Sequence, residues 1–192
     1  MNINSHSYWV NAWKTKEPHP DNILRYKVIG SLLKGNVLDV ACGIASLCQY
    51  APGQYVGMDF SETALQRAKE QCPTGIFVLH DITKSLKTLR IPCRIDTLVF
   101  GQILEHLDHP EEVLVGFLEH FSAWTRLIVS VPDSNIVPPD TQCEEHVQYF
   151  DKDSIRELVE KCTGNSPKLI EGRCSNRFII AITQKQFHEV RH

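Results

Sequence analysis

Residues 36–47, with the sequence NVLDVACGIASL, decide the fold of this chain. Their apolar run at 37–40 is typical of a short buried strand, and Asp39 interrupts it just before its end. The small residues at 41–43 allow the backbone to turn tightly and a ligand to come close. Residues 44–50 then predict the first turns of a helix. A strand, a small-residue turn and a helix open a doubly wound α/β sheet, in which ligands bind at the carboxyl ends of the strands.

Length and composition predict one globular domain over residues 1–192, long enough to bury a sizeable core. The formal net charge is −3, and the sequence pI is about 6.3. We expect no long nucleic-acid partner, because such partners are usually bound through a basic stripe or domain. We also expect no membrane partner and no secretion signal, since no apolar run reaches membrane-spanning length and the N-terminus has no basic region. No pattern indicates an oligomeric state.

Seven cysteines are spread singly along the chain, at positions 42, 48, 72, 93, 143, 162 and 174. Their odd number and the lack of C-x-x-C pairs argue against a disulfide framework and against a structural zinc site. Unpaired thiols persist in a reducing compartment. The sequence therefore predicts a cytoplasmic protein.

Strand and helix patterns alternate along almost the whole chain. Apolar runs predict further strands at 55–59, 75–79, 95–100 and 126–131, and a closing antiparallel pair at 167–171 and 178–183. Apolar periodicity predicts helices at 22–33, 61–71 with Ser61 as N-cap, 110–121 and 151–162. This alternation predicts an α/β fold. We expect a doubly wound, Rossmann-like, seven-stranded, mostly parallel sheet with one antiparallel strand near the edge and helices on both faces.

Two segments stand outside this alternation. Residues 1–34 predict an N-terminal helical cap, in which Trp9 and Trp13 share one face because they are four residues apart. These rings either pack the segment onto the domain or form an aromatic lid over the ligand crevice, since aromatic side chains bury large areas in both roles. Residues 132–150 contain three prolines and no clear period, which predicts an irregular, substrate-side insertion.

Asp39, Asp59 and Asp81 follow the ends of three successive predicted strands. In a parallel sheet those ends lie along one edge, so all three carboxylates are expected in one crevice. An acid after the second strand suits a pair of ribose hydroxyls, although a lone Asp there also commonly caps a turn. The turn at 41–46 has one glycine instead of the G-x-G-x-x-G of a dinucleotide site. The expected ligand therefore has a ribose but no pyrophosphate against this turn.

Five segments of the chain, in this order, resemble the motifs of class I S-adenosylmethionine-dependent methyltransferases. They are VLDVACG (37–43), VGMDFS (56–61), HDIT (80–83), IDTLVFGQILEHL (95–107) and LIVSVP (127–132). The resemblance covers about residues 35–183 and implies a methyltransferase that uses S-adenosylmethionine (SAM). The family often has glycine where Ala45 stands, and the turn accepts an alanine there if its φ is negative.

The resemblance also implies which residues contact the cofactor. They follow successive strands and are Asp39, Ala41, Cys42, Gly43, Asp59, Phe60, Asp81, Ile82, Gly101 and Gln102. In that family the turn after the first strand holds the methionine portion. The acid after the second strand, here Asp59, binds the ribose, and Phe60 next to it flanks the adenine. Asp81 and Ile82 correspond to further adenine contacts. Gly101 and Gln102 correspond to positions beside the methionine portion and the sulfonium.

Glu105, His106 and His146 are the predicted catalytic residues, on the acceptor side of the methyl group. Methyl transfer is an in-line displacement in which alignment does most of the work, and an oxygen acceptor must also lose a proton. A histidine near neutral pH suits that role, whereas helix capping is the alternative for His106. These observations favour methyl transfer to an oxygen or nitrogen of a small polar metabolite or sugar-like acceptor, without a metal.

Two other functions stay open. Small-RNA 3′-terminal 2′-O-methyltransferases are similar in this region, with an E-x-x-E-H segment and a later histidine that hold Mg²⁺. Here the segment is Gln102-x-x-Glu105-His106, followed by His146, and the neutral oxygen of Gln102 suits a hard cation less well. The second alternative is a non-catalytic SAM-binding module. A nicotinamide dehydrogenase is least favoured, because the glycine pattern is missing.

Overall fold

Strands and helices alternate along the residues that the computed structural model describes, which are 6–15, 20–135, 145–172 and 178–185. The strands are β1 (Val37–Val40), β2 (Tyr55–Asp59), β3 (Ile76–Leu79), β4 (Thr97–Gly101), β5 (Arg126–Pro132), β6 (Lys168–Gly172) and β7 (Phe178–Gln184). The α-helices are α1 (His6–Ala12), α2 (Pro20–Leu32), α3 (Glu62–Gln71), α4 (Pro110–His120) and α5 (Lys152–Thr163).

The strands form one sheet in the order β3-β2-β1-β4-β5-β7-β6. Strands β1 to β5 are parallel to one another. Strand β7 is antiparallel to both β5 and β6. The predicted α/β fold with a seven-stranded mixed sheet is confirmed.

Alternate strand residues pack into two hydrophobic cores, one on each face of the sheet. On one face, Leu38 and Phe100 lie in a core with residues of α4 and α5. On the other face, Val37 and Val99 lie in a core with residues of α2 and α3. Strands buried on both faces appear in a sequence as nearly continuous apolar runs. This is why the central strands could be located from the sequence.

Two helices begin at residues whose side chains cap them. The Ser61 hydroxyl accepts a hydrogen bond from the backbone N–H of Ala64 at 3.2 Å, which confirms the predicted N-cap of α3. Asp151 and Ser154 form a reciprocal capping box at the start of α5. That helix ends at Gly164, whose φ of 69° suits glycine.

The α-helix predicted for residues 44–50 is wrong. The chain passes through turns there and forms only a short 3₁₀ helix, Cys48–Tyr50. Gly43 and Ala45 have φ values of 53° and 62°, a left-handed conformation that a right-handed helix excludes. The negative φ under which the turn was expected to accept Ala45 is therefore not observed. The residue is nevertheless 3% exposed, because its methyl group packs in the core with α2 and α3.

Cys48 and Cys72 form a disulfide, so the sequence argument against disulfides is wrong for this pair. The two residues are 24 positions apart, and the 3₁₀ helix and the end of α3 bring them together in one core. Spacing in the sequence does not reveal a pair that packing creates. Cys42, Cys93 and Cys162 are free among the described residues. The cytoplasmic location stays a prediction.

The predicted insertion, residues 132–150, is described only at its two ends. Residues 136–144 lie outside the described part of the chain. Residues 145–150 form neither helix nor strand. They run along a second 3₁₀ helix, Leu104–His106, where the backbone N–H groups of residues 147 and 148 donate to the carbonyl oxygen of Glu105 at 2.8 and 3.0 Å.

The predicted N-terminal cap, residues 1–34, contains α1 and α2, and residues 1–5 and 16–19 lie outside the described ranges. Contacts join α1 to α3 and α2 to the 3₁₀ helix after β1. None of the described helices combines the length and the apolar character needed to cross a bilayer.

Candidate functional site

The turn after β1 is bonded to the end of β2, its parallel neighbour. The N–H of Cys42 donates to the carbonyl oxygen of Met58, and the N–H of Gly43 donates to Oδ2 of Asp59, each at 2.9 Å. Because β1 also pairs in parallel with β4, the carboxyl ends of β1, β2 and β4 lie at one edge. The predicted crevice therefore has Asp39, Asp59 and Gly101 at its base.

Asp39 is a buried carboxylate, 4% exposed, whose Oδ2 accepts a hydrogen bond from the Tyr55 hydroxyl at 2.6 Å. Burial raises the pKa of Asp39 to about 7, the Tyr55 hydrogen bond opposes this rise, and the charge of Asp59 adds to it. The sequence analysis did not single out Tyr55. Its place in β2, two residues before the register partner of Asp39, was the available signal, since such residues share a face.

Asp59 fixes the turn after β1. Its side chain is buried, and besides the bond from Gly43 it accepts one from the backbone N–H of Ser61 at 2.9 Å. Burial raises the pKa of Asp59, and the backbone hydrogen bonds oppose that rise. Each carboxylate oxygen has a second lone pair. The predicted bonds to a ribose stay a prediction.

The loop after β3 contains Asp81, whose Oδ1 accepts hydrogen bonds from the N–H and the hydroxyl of Thr83 at 2.9 and 2.7 Å. These contacts match the turn-capping alternative for Asp81. Ile82 is 7% exposed and packs in the core with α4 and α5. Phe60 is half-buried after β2. Adenine contacts by these residues remain predictions.

Three residues other than glycine have a left-handed backbone in the loops after β1 and β4. Ala41, Ala45 and Gln102 have φ values of 59°, 62° and 58°. Such conformations cost free energy outside glycine and persist where the surrounding structure enforces them, often at functional sites. Gln102 is held by Ser130, to whose carbonyl oxygen its N–H donates at 2.8 Å. A Cβ built on Gly101 would meet no atom of the described residues within 4 Å, so open space adjoins this strand end.

Glu105, His106 and His146 come together beside that strand end, and their possible ligand atoms lie within 4.8 Å of one another. The His106 and His146 ring centres are 4.9 Å apart. Glu105 is 2% exposed, its Oε2 has no hydrogen-bond partner among the described residues, and burial raises its pKa to about 8.

The orientation of His106 follows from its contact with the insertion. Its Nδ1 lies 3.0 Å from the carbonyl oxygen of Glu145. A carbonyl oxygen only accepts, so Nδ1 carries the hydrogen, and in the neutral ring Nε2 then has the lone pair. This is the tautomer in which a histidine can act as a base through Nε2.

Helix α1 and the residue after it lie across both parts of the crevice. The Trp13 ring rests on Gly43, where a built Cβ would be 2.5 Å from its Cη2, and the Trp13 carbonyl accepts from Arg67 at 2.9 Å. The Trp9 ring centre is 5.3 Å from that of His106. The Tyr8 hydroxyl donates to the carboxylate of Glu145. Of the two interpretations of this segment, these contacts favour the lid over the crevice.

Arg25 is a second residue that the sequence analysis did not single out. It lies on α2, is 9% exposed, and its guanidinium carbon is 5.2 Å from the ring centre of Tyr26. Its positive charge lowers the pKa of both Asp39 and Glu105. No motif segment includes Arg25, so only the folded structure reveals this placement.

Known structures share this fold. The methyltransferase domain of bacterial CtHen1-C superposes with a TM-score of 0.67 at 16% identity, covering 85% of this chain and 98% of that one. Magnesium protoporphyrin IX methyltransferase from Synechocystis PCC 6803, solved with bound SAM, gives 0.61 at 16% identity, covering 94% and 92%. The small RNA methyltransferase HEN1 gives 0.66 at 17% identity, covering 91% of this chain and 27% of that one.

A search of curated proteins gives no significant match. A family model described as "Methyltransferase domain" matches residues 20–162, which is well over half of the chain and includes β1 to β5. The fold, the small-residue turn and the acids at the strand ends agree with this match. The chain belongs to the class I SAM-dependent methyltransferases, with SAM as its cofactor.

Proposed function

We propose that this methyltransferase transfers a methyl group to an oxygen or nitrogen of a small polar acceptor, such as a metabolite or a sugar-like molecule. The observation that carries the proposal is the position of α1. Tyr8 and Trp9 lie across the cluster of Glu105, His106 and His146. A small acceptor fits beneath such a cover more readily than a long polymer does.

The residues at the sheet edge fit SAM in charge and in space. Asp39 offers a buried carboxylate to the ammonium of the methionine portion, and Asp59 borders the ribose position. The open space beside Gly101 is where the sulfonium is expected. When bound, SAM supplies an electrophilic methyl group that a nucleophile can displace. Ala45 does not crowd this space, because its methyl group is buried in the core.

His106 is proposed as the general base for an acceptor hydroxyl. The hydrogen bond to the Glu145 carbonyl fixes the tautomer in which Nε2 accepts a proton. His146, 4.9 Å away between ring centres, is proposed to orient the acceptor. Proximity and alignment supply most of the acceleration in methyl transfer, so the cluster serves mainly to position the acceptor.

The proposal is tested in two steps. Calorimetry with S-adenosylhomocysteine (SAH), the demethylated product of the cofactor, is expected to show binding to the purified protein. Transfer of labelled methyl groups from SAM to a panel of small hydroxy and amino compounds, with and without EDTA, then identifies the acceptor class. Transfer that resists EDTA supports the proposal. SAH binding with no transfer to any small compound would contradict it.

A divalent-metal-dependent RNA 3′-end 2′-O-methyltransferase is the second candidate. It is favoured by Oε2 of Glu105, which is buried without a partner in the described part of the chain and lies beside two histidines, a donor set that binds divalent cations. The structural likeness to a small RNA methyltransferase agrees with it at the level of fold. This candidate predicts transfer to RNA with free 3′-terminal hydroxyls that requires Mg²⁺ or Mn²⁺. Glu105→Ala should abolish that metal dependence together with activity.

A further inference from the structure

Helix α2 contacts the 3₁₀ helix that follows the turn after β1, and one residue of α2, Arg25, has a buried guanidinium nitrogen with no hydrogen-bond partner among the described residues. Arg25 as a whole is 9% exposed, and the nitrogen is its Nε. Leaving a buried charged donor unsatisfied is costly. Contact with the Tyr26 ring satisfies the charge only in part. Such a group indicates a place where a ligand completes the structure.

The surroundings of Arg25 indicate the charge of that ligand. The residue is close enough to lower the pKa of Asp39 and of Glu105, yet no ion pair joins it to either carboxylate in the described part of the chain. Arg25 therefore neutralises neither acid directly. Its planar fork of N–H donors matches the two oxygens of a carboxylate.

We propose that Arg25 binds the α-carboxylate of the methionine portion of SAM while Asp39 binds its ammonium group. In this arrangement the two charged groups of the methionine portion each face a buried residue of opposite charge. The inference rests on the proposed placement of the methionine portion against the turn at 41–43. It adds to the cofactor site a residue of α2 that lies 12 positions before Val37, where the first motif segment begins.

The test compares ligands that differ only in the carboxylate. Calorimetry measures the Kd of SAH and of its decarboxylated analogue, S-adenosyl-3-thiopropylamine, for the wild type and for Arg25→Met and Arg25→Lys. We expect the wild type to bind SAH at least about 10-fold more tightly than the analogue, because a hydrogen bond between charged groups is lost. Arg25→Met should weaken SAH binding about 10- to 100-fold and change binding of the analogue less than about 3-fold. Arg25→Lys should fall between.

Lys27→Met is the matched control, since it removes a positive charge from an exposed position of the same helix. It should leave both Kd values within about 2-fold, as exposed charges contribute little. Equal weakening of both ligands by Arg25→Met would assign Arg25 a structural role and overturn the proposal. Equal affinity of the wild type for both ligands would overturn it even if Arg25→Met does not fold. Absence of SAH binding by the wild type would instead contradict the cofactor site as a whole.

Discussion

The two sides of the crevice are built in different ways. On the cofactor side, the turn after β1 is held by backbone bonds to the end of the adjacent strand β2. On the acceptor side, Glu105 and His106 meet His146 about 40 residues later, under Tyr8 and Trp9 of α1. One side is fixed by neighbouring strands of the sheet. The other depends on three segments that are far apart in the sequence, so substitutions on the two sides should separate cofactor binding from methyl transfer.

The largest expected effect comes from the acceptor side. His106→Ala should lower kcat about 10²- to 10⁴-fold, because a positioned base is lost. The Kd of SAH should stay within about 2-fold, since the cofactor turn is built independently. Labelled methyl transfer and calorimetry on the same preparation measure both values. His109→Ala, at an exposed position outside the cluster, is the control. An equal change in SAH affinity would mean that the two sides are not separable.

On the cofactor side, Asp39→Asn should weaken SAH binding about 10- to 100-fold, because the amide loses the charge that attracts the ligand ammonium. The Asn side-chain oxygen can still accept the hydrogen bond from Tyr55, so the fold should persist. Calorimetry measures the loss, and kcat at saturating SAM should change much less than in His106→Ala. Unchanged affinity would remove Asp39 from the cofactor site.

Asp39→Asn also tests whether burial raises the pKa of Asp39 in the absence of ligand. Its pKa is about 7 in the folded protein and 3.8 as a free group, so between these values the folded state binds more protons than the unfolded state. Stability should therefore fall as pH rises from about 4 to about 7, by up to about 1.4 kcal/mol per pH unit from this group. Urea unfolding at several pH values should show a shallower decline for Asp39→Asn. Parallel curves for the two proteins would contradict the raised pKa.

Helix α1 and Trp13, the residue after it, connect the two sides of the crevice. Their aromatic rings allow each side to be perturbed alone. Trp13→Ala should raise the Kd of SAH about 5- to 10-fold, because the ring that covers Gly43 is lost. Trp9→Ala should instead raise the KM of the acceptor by a similar factor and leave the Kd of SAH unchanged, since its ring lies against His106. Tighter SAH binding by Trp13→Ala would mean that the ring occupies the place of the cofactor.

The contrast between the two sides also explains what the sequence could predict. The apolar runs located the strands, and the acids at their ends predicted the sheet edge at which the cofactor is proposed to bind, because both depend on local pattern. Arg25 carries no local pattern, and Tyr55 could be placed beside Asp39 only through the register of β1 and β2, which the sequence alone does not give. The pairing of Cys48 with Cys72 was missed for the same reason. The helix predicted after the turn was wrong because apolar periodicity does not reveal a left-handed residue.

Ala45, a left-handed residue in the turn after β1, allows the test with the smallest expected effect. Ala45 has a φ of 62° and a methyl group buried in the core, so the backbone is strained while the side chain is well packed. Ala45→Gly should raise the free energy of unfolding by about 1 kcal/mol if relief of the backbone outweighs the lost methyl contacts. Ala68→Gly, inside α3 and equally buried, is the matched control and should lower it by about 1 kcal/mol or more. Chemical unfolding measures both, and a loss of stability in Ala45→Gly as large as in Ala68→Gly would show that the turn stores no strain. SAH affinity should not change, because the methyl group of Ala45 faces the core and not the crevice.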